Sequence, residues 1–299
     1  MSEFSRIRSL VLVTFLVLVW GISWPIYKIA LDYTPPVLFA GMRTFFGGAL
    51  LALLLLPRRQ HLRWKHNWHI YVISSLFNVI MFYGLQTVGL MLTPSGLFSV
   101  IVYLQPVLVG VLAWAWLKEQ MTAVKVVGLI IGFLGVAVVS AGGFTGHIAL
   151  LGIVLAILTA VGWAVGTVYV KKVSLHVDSM WLVSVQCLIG GAVLSAAGSF
   201  TENWSDIVWN IPYLTGLIFG ITLGISLSWI VYFMLVNAGD ASRVASYTFL
   251  VPVISVLSGT LILGESFTFN LLVGLMFIGV SIYLVNRKPK LAVARETAA

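Results

Sequence analysis

Apolar residues follow one another along most of this chain in long runs, which short polar or charged segments interrupt. Ten of these runs are long enough to cross the hydrocarbon core of a bilayer as helices, for which about 20 residues are needed. Numbered as spans 1 to 10, they lie near residues 9–31, 36–56, 68–90, 95–117, 122–141, 147–170, 179–200, 211–236, 242–263 and 267–286. The pattern predicts an all-α integral membrane protein with ten transmembrane helices.

The composition argues against the common classes of soluble protein. Hydrophobic residues make up 60% of the chain and charged residues 9%, against roughly 45–50% and 25% in soluble domains. Too little charge remains to cover a water-exposed surface, so we expect neither a soluble enzyme nor a nucleic-acid-binding protein. The single cysteine, Cys187, lies inside an apolar run, and we expect no disulfide, no bound metal and no cofactor.

The positions of Lys and Arg predict how the spans are oriented. With the N-terminus in the cytoplasm, all of the 17 Lys and Arg residues except Lys28 and Arg43 fall at cytoplasmic span ends or in cytoplasmic loops and tails. Basic residues prefer that side of a membrane. We therefore expect both termini to be cytoplasmic, with short tails at residues 1–8 and 287–299.

The two halves of the chain resemble each other. Residues that match at offsets of about 143 to 150 positions include Trp20 with Trp163, Lys28 with Lys171, Phe82 with Tyr232, Pro106 with Pro252 and Glu119 with Glu265. Each half has five spans, and because five is odd, the second half enters the membrane from the opposite side. The sequence thus predicts two inverted five-helix repeats, 9–141 and 147–286, an arrangement typical of alternating-access carriers.

The repeated motif resembles a known family. Its first copy comprises Pro106-Val107, Leu117, Glu119 and Gly128, and its second copy comprises Pro252-Val253, Leu263, Glu265 and Gly274. This doubled pattern is similar to the EamA domain of the drug/metabolite transporter superfamily, and the resemblance covers about residues 9–286. It implies a carrier for small organic solutes in the bacterial cytoplasmic (inner) membrane. It also implies a central cavity, with spans 5 and 10 at the periphery.

Polar and aromatic residues at helical spacing mark candidate faces for a substrate pathway. Residues four positions apart share one face of a helix, and polar groups in hydrocarbon face protein or a water-filled cavity. The candidates for the pathway are Trp20, Trp24, Asn78, Phe82, Gln86, Ser99, Tyr103, Trp163, Thr167, Ser228, Tyr232 and Tyr247. The alternative is that these side chains only hold neighbouring helices together.

A few charged residues and prolines within the spans have two interpretations each. Lys28 and Arg43 are candidates for contact with an anionic group, or they extend to the membrane surface and bond loop carbonyls. The prolines within spans, Pro25, Pro106 and Pro252, remove a helical hydrogen bond each and predict either gating bends or fixed kinks. For Glu119, helix capping is favoured over proton relay.

The expected function is transport without ATP hydrolysis within this chain, because no phosphate-binding glycine loop is present. No Asp or Glu falls in the middle third of any span, which favours facilitated transport or exchange over ion coupling. An aromatic, weakly charged pathway favours export of hydrophobic or aromatic amino acids or related compounds. The alternative is a broad-specificity drug/metabolite efflux carrier coupled to protons. The expected partners are the small-molecule substrate and the lipid bilayer, and the sequence leaves open whether the chain is a monomer or a homodimer.

Overall fold

The computed structural model describes residues 6–92, 95–139, 149–263 and 269–287, and these residues form helices and no β-strand. The first half contains α1 (Arg6–Leu31), α2 (Pro36–Leu55), α3 (Trp64–Ser75), α4 (Gln86–Leu92), α5 (Ser95–Val102), α6 (Gln105–Leu117) and α7 (Ala123–Val139). The second half contains α8 (Leu150–Val173), α9 (Ser179–Thr201), α10 (Ile211–Phe219), α11 (Ser228–Ala238), α12 (Ala241–Tyr247), α13 (Leu250–Leu263) and α14 (Phe269–Asn286). Wide π-helical turns join α3 to α4 at Leu76–Leu85 and α10 to α11 at Gly220–Leu227.

The described helices are long and apolar enough for a multi-pass membrane protein. Eight stretches have the length and composition needed to cross a membrane. They are Ile7–Leu31, Pro36–His61, Trp64–Gly89, Val100–Leu117, Leu150–Val173, Ser179–Thr201, Ile211–Ala238 and Ala241–Gly259. Two shorter apolar helices, Ala123–Val139 and Leu272–Asn286, accompany them. The prediction of an all-α membrane protein is confirmed at this level.

Local sequence signals explain where several helices begin. The Asp178 carboxylate accepts hydrogen bonds from the backbone N–H groups of Met180 and Trp181 at 3.0 and 2.9 Å, which caps α9. Asn210 caps α10 in the same way through the N–H of Tyr213. The cap of α2 comes from the other half of the chain, because Glu202 accepts the N–H groups at positions 37 and 38 at 2.9 and 2.8 Å. Helix ends are thus used to join the halves.

The halves pack against each other through equivalent helices. The most extensive helix contacts join α2 to α9 and α7 to α14, and each pair consists of two helices that the sequence repeat aligns. The contacts of α1 with α13 and of α8 with α6 are also equivalent to each other, because the repeat aligns α1 with α8 and α13 with α6. The core of the bundle is therefore built around the junction between the halves.

Glycines allow the backbones of α2 and α9 to approach closely. A Cβ added at Gly191 would lie 2.6 Å from the Cα of Phe45, and one added at Gly48 would lie 2.7 Å from the carbonyl oxygen of Ser184. Both distances are shorter than van der Waals contact. Small residues at such crossings let transmembrane helices gain packing energy.

Replacing Gly191 with leucine is expected to lower the stability of the protein by about 1–3 kcal/mol or more, because the new side chain collides with the backbone of α2. Thermal unfolding of the purified protein in detergent measures this loss. Gly279→Leu is the matched control, because a Cβ at Gly279 meets nothing within 4 Å. Equal melting temperatures for the two variants would contradict the close approach of α2 and α9.

Two helix breaks lie at equivalent places in the halves. Turn residues 103–104 separate α5 from α6, and residues 248–249 separate α12 from α13. Pro106 and Pro252 lie in the first turns after these breaks, where the missing N–H removes no helical hydrogen bond. Pro25 lies within α1, which continues without a break.

Candidate functional site

Six aromatic residues from both halves meet in the middle of the bundle. We call Trp20, Phe82, Tyr103, Trp163, Trp229 and Tyr232 the aromatic cluster. Trp163 is only 3% exposed and lies at its centre. Its ring centroid is 4.8 Å from that of Phe82, 5.7 Å from Trp20, 6.3 Å from Tyr103 and 6.4 Å from Tyr232. The tilted and edge-to-face geometries are those that aromatic pairs prefer.

The contacts within the aromatic cluster follow the sequence repeat. Trp20 packs against Tyr232 at 5.3 Å, and their counterparts Trp163 and Phe82 pack against each other at 4.8 Å. Trp20 and Phe82 are partly exposed, whereas Trp163 and Tyr232 are buried. The cluster is therefore not completely buried, and Trp20 and Phe82 keep its exposed surface.

Hydrogen-bonding groups lie beside the rings. The hydroxyl of Tyr232 is 3.1 Å from the hydroxyl of Thr167 and accepts a hydrogen bond from Nε2 of Gln105 at 3.3 Å. Oε1 of Gln105 and the indole Nε1 of Trp163 are buried without a hydrogen-bond partner. Buried polar atoms are normally paired with protein or water, so these two atoms are unsatisfied hydrogen-bonding groups beside the rings.

A second set of hydrogen-bonded polar side chains lies where the segment Leu76–Leu85 meets α9. Nδ2 of Asn78 donates to Oγ of Ser74 at 3.2 Å and to Oε1 of Gln186 at 3.3 Å, and Ser74 also donates to Gln186. All three side chains are fully buried. Asn78, predicted as a pathway residue, thus makes hydrogen bonds between helices, and its Oδ1 has no partner.

Arg43 is buried among aromatic rings near the beginning of α2. Its guanidinium carbon lies 4.3 Å from the ring centroid of Tyr27 and 4.8 Å from that of Tyr83. Tyr83 also accepts a hydrogen bond from the indole of Trp229 at 3.0 Å, so one ring separates Arg43 from the aromatic cluster. Lys28, by contrast, is exposed.

The remaining predicted pathway residues take several positions. Trp24 is partly buried and packs against the core, and Gln86 is also partly buried. Ser228 is buried and donates to the carbonyl of Gly224 one turn earlier. Tyr247 donates to Asn286 of α14 at 3.0 Å, which joins two helices outside the aromatic cluster. The side chain of Ser99 lies outside the described residues.

One end of the bundle is closed by charged side chains, which we call the polar latch: Glu119, Lys125 and Lys171. Glu119 accepts hydrogen bonds from the N–H of Ala241 at 2.6 Å and from the hydroxyl of Ser242 at 2.5 Å, so it caps α12. Lys125 lies 3.6 Å from Glu119. Lys171 donates to the carbonyl oxygens at the end of α11 and in the following turn, at positions 236 and 239. Within the latch, the contacts of Glu119 with Ala241 and Ser242 link the two halves.

Four residues of the site were not among those predicted: Tyr83, Gln105, Gln186 and Trp229. A signal existed for Tyr83, because the offset of 150 that aligns Phe82 with Tyr232 also aligns Tyr83 with the aromatic Phe233. Gln186 aligns with Arg43 at the offset of 143. A polar or aromatic residue with a polar or aromatic repeat partner therefore identifies site positions that helical spacing alone misses.

This combination of apolar helices, a buried aromatic cluster and polar contacts near helix ends is that of a multi-pass membrane protein. The chain belongs to the EamA-like transporter family, whose model matches residues 7–141 and 150–287. The family resemblance inferred from the repeated motif is thereby confirmed. The family and the names of its members indicate a transporter rather than an enzyme.

Similar proteins come from bacteria, archaea and a plant. The uncharacterized transporter YvbV of Bacillus subtilis is 51% identical over 290 residues, which cover 97% of this chain and 95% of that protein. A protein of Escherichia coli named probable amino-acid metabolite efflux pump is 26% identical, and the match covers 90% of each chain. A solved crystal structure matches with a TM-score of 0.80 at 20% identity, over 99% of this chain and 100% of the other, which supports the fold alone.

Proposed function

We propose that this protein is a secondary transporter that exports hydrophobic or aromatic amino acids, or related metabolites, across the bacterial cytoplasmic membrane. The observation that carries the proposal is the position of Trp163, which touches four aromatic rings and keeps an unpaired indole N–H at their centre. Such a site combines a large apolar surface with a few hydrogen-bonding groups, as small-molecule sites do. The name of the Escherichia coli relative is consistent with this substrate class.

The proposed architecture has ten transmembrane helices in two inverted repeats, at 9–141 and 147–286. It counts α7 and α14, with 17 and 18 residues, as membrane-crossing helices. The symmetric contacts of α2 with α9 and of α7 with α14 support a twofold relation between the halves. Two related halves around one site supply the two openings that alternating access requires.

The proposed topology places both termini and the polar latch on the cytoplasmic side. Basic residues prefer that side, and the latch contains Lys125 and Lys171. With the latch closed, Thr167 and Tyr232 are buried, while Trp20 and Phe82 keep some exposure. This distribution supports a conformation that opens to the outside.

Transport is proposed to be facilitated or by exchange. The carboxylates of the described residues lie at helix ends or in connections and not beside the aromatic cluster: Asp32, Glu119, Asp178, Glu202, Asp206 and Asp240. Coupling to protons or sodium usually uses a carboxylate inside the membrane. Broad-specificity drug efflux coupled to protons is the alternative, and it predicts a transport rate that follows the pH gradient.

Counterflow in proteoliposomes tests the proposal. Liposomes containing the protein are loaded with unlabelled phenylalanine, and uptake of labelled phenylalanine is followed with and without a pH gradient. We expect accelerated uptake that competing tryptophan or leucine reduces and that the pH gradient leaves unchanged. Exchange of a cationic dye without exchange of any amino acid would favour the drug-efflux alternative. Liposomes without protein provide the background.

A further inference from the structure

Arg43 is a buried cation for which the described part of the chain supplies no anion. Its side chain is 9% exposed, and its Nε has no hydrogen-bond partner. The ion pairs found among the described residues, Lys125–Glu119 and Arg243–Asp240, do not include it. Charged side chains within membrane helices are costly and usually face a partner or a water-filled cavity. Arg43 therefore requires an explanation.

The rings around Arg43 stabilise its charge, and its Nε–H has no hydrogen-bond partner. The guanidinium carbon lies within 4.3–5.5 Å of the ring centroids of Tyr27, Tyr83 and Phe39, close enough for cation–π attraction. Cation–π contacts use the face of the guanidinium, whereas hydrogen bonds use its edge. The edge of an arginine matches a carboxylate, which accepts two parallel N–H bonds.

The surroundings of Arg43 leave room for its side chain and contain a buried tyrosine hydroxyl. A Cβ added at Gly220 would lie 3.2 Å from both Cβ and Cδ of Arg43, and one added at Gly224 would overlap the hydroxyl of Tyr27. That hydroxyl is buried and, apart from Arg43 beside it, has no hydrogen-bond partner. The two glycines, one turn apart, therefore form a cradle around an arginine and a tyrosine that lie side by side.

The sequence repeat indicates that the fold itself does not need a cation at this position. Arg43 aligns with Gln186 in the other half, at an offset of 143. Gln186 is neutral and buried, and its Oε1 accepts hydrogen bonds from Ser74 and Asn78 while its Nε2 has no partner. Equivalent helices thus carry a neutral amide in one half and an arginine without an anion in the other.

We propose that Arg43, with Tyr27, forms a carboxylate-binding subsite of the central site. Tyr83 lies between Arg43 and Trp229, with its ring centroid 4.8 Å from the guanidinium carbon and 6.5 Å from the Trp229 ring. A bound molecule therefore places its carboxylate at Arg43 and its apolar part against the aromatic cluster. The substrate class is small aromatic or apolar carboxylates, including zwitterionic amino acids. This inference rests on the proposed transport function and specifies its substrate chemistry.

The test compares 3-phenylpropionate with 3-phenylpropanol, which has similar size and no carboxylate. Binding to the purified full-length protein is measured by thermal stabilisation in detergent, and exchange is measured in proteoliposomes with phenylalanine and phenethylamine. The variants are Arg43→Gln, which introduces the residue of the repeat-related position, and Arg43→Lys, which keeps the charge. Arg59→Gln, at an exposed position in the connection after α2, is the matched charge control.

We expect wild type and Arg59→Gln to prefer the acid over the alcohol. Arg43→Gln should weaken binding of the acid about tenfold or more, the usual effect of losing a charged hydrogen bond, and leave binding of the alcohol unchanged. Arg43→Lys should retain an intermediate preference. The ratio of acid to alcohol affinity separates recognition from a structural role, because a merely structural arginine affects both ligands equally.

Three results would overturn the subsite: wild type shows no preference for the acid, Arg43→Gln keeps the wild-type preference, or it weakens both ligands to the same degree. If Arg43→Gln does not fold, the ratio measured for Arg43→Lys decides in its place. Failure of the proposed function is distinct, because it appears as an absence of amino-acid exchange by wild type while the preference of the purified protein for the acid persists.

Discussion

Replacing Trp163 with alanine is expected to reduce exchange of aromatic amino acids at least tenfold. The indole forms ring contacts at 4.8–6.4 Å with four members of the aromatic cluster, and each such pair contributes about 0.5–1.5 kcal/mol beyond buried area. Its removal leaves a hole at the centre and frees the neighbouring rings to change rotamer. Counterflow of labelled phenylalanine measures the loss.

Two further variants separate loss of the site from loss of the fold. Trp163→Phe keeps a ring and breaks no hydrogen bond, because the indole N–H has no partner among the described residues. It should retain a near-native melting temperature and partial exchange. Trp209→Ala removes an exposed tryptophan from the connection between α9 and α10 and should leave exchange unchanged. Wild-type exchange by both Trp163 variants would show that the aromatic cluster is not the pathway.

The helices could be predicted from the sequence because their signal is local. Span 7 was expected at 179–200, and α9 covers Ser179–Thr201. A helix needs about 20 successive apolar residues to cross the hydrocarbon of a bilayer. Because the hydrocarbon offers no hydrogen-bond partners, the backbone N–H and C=O groups of a helical span bond to each other within the helix. Length and composition therefore identify the segment without any knowledge of its neighbours.

Irregular turns within the helices were harder to predict from the sequence. Span 3 reads as one apolar run, yet its middle forms wide π-helical turns at Leu76–Leu85. The π-helical segment places Asn78 and Phe82 toward different partners, Gln186 and Trp163. A strict four-residue spacing assumes regular α-helix and cannot give these directions. Irregular turns are selected by packing between helices, which the local sequence does not encode.

The hydrogen-bond partners of polar side chains could not be predicted from the sequence. Tyr247 follows the polar pattern of a pathway residue as well as Tyr232 does, but it bonds to Asn286, whereas Tyr232 contacts Thr167 in the aromatic cluster. Glu119 was expected to cap a helix, and the helix that it caps begins 122 residues later. The identity of such partners depends on which helices are adjacent, a property of the whole fold.

Replacing Glu119 with alanine is expected to open the polar latch. The substitution removes the acceptor of two backbone N–H groups and the Ser242 hydroxyl, and it leaves Lys125, which is 6% exposed, without its carboxylate. Losing a charged hydrogen bond costs about 1.5–3 kcal/mol, and an unpaired buried charge adds to that cost. The substitution destabilises the closed state, which makes these contacts, and not a state with separated halves, which lacks them. The equilibrium between the two states therefore shifts toward opening at this end.

Thiol labelling measures this shift. In a Cys187→Ala background, Ser246→Cys introduces a thiol in α12 at a position that is fully buried in the closed latch. A membrane-impermeant maleimide should label it about tenfold faster in Glu119→Ala than in the parent, since about 1.4 kcal/mol corresponds to a factor of ten. Asp240→Ala is the control at the same end, because the Asp240–Arg243 pair is partly exposed and solvent-accessible pairs contribute about 0–1 kcal/mol.

The outcome bears on how the two halves alternate. Glu119→Gln keeps one acceptor oxygen, so we expect its labelling rate to lie between those of the parent and Glu119→Ala. This order of rates would mean that hydrogen bonds to the beginning of α12 hold this end closed. Equal labelling of Glu119→Ala and Asp240→Ala would assign closure to the apolar contacts of α12 instead. Since α12 ends at the break before α13, a latch on its first turn acts on a short helix that can move separately from α13.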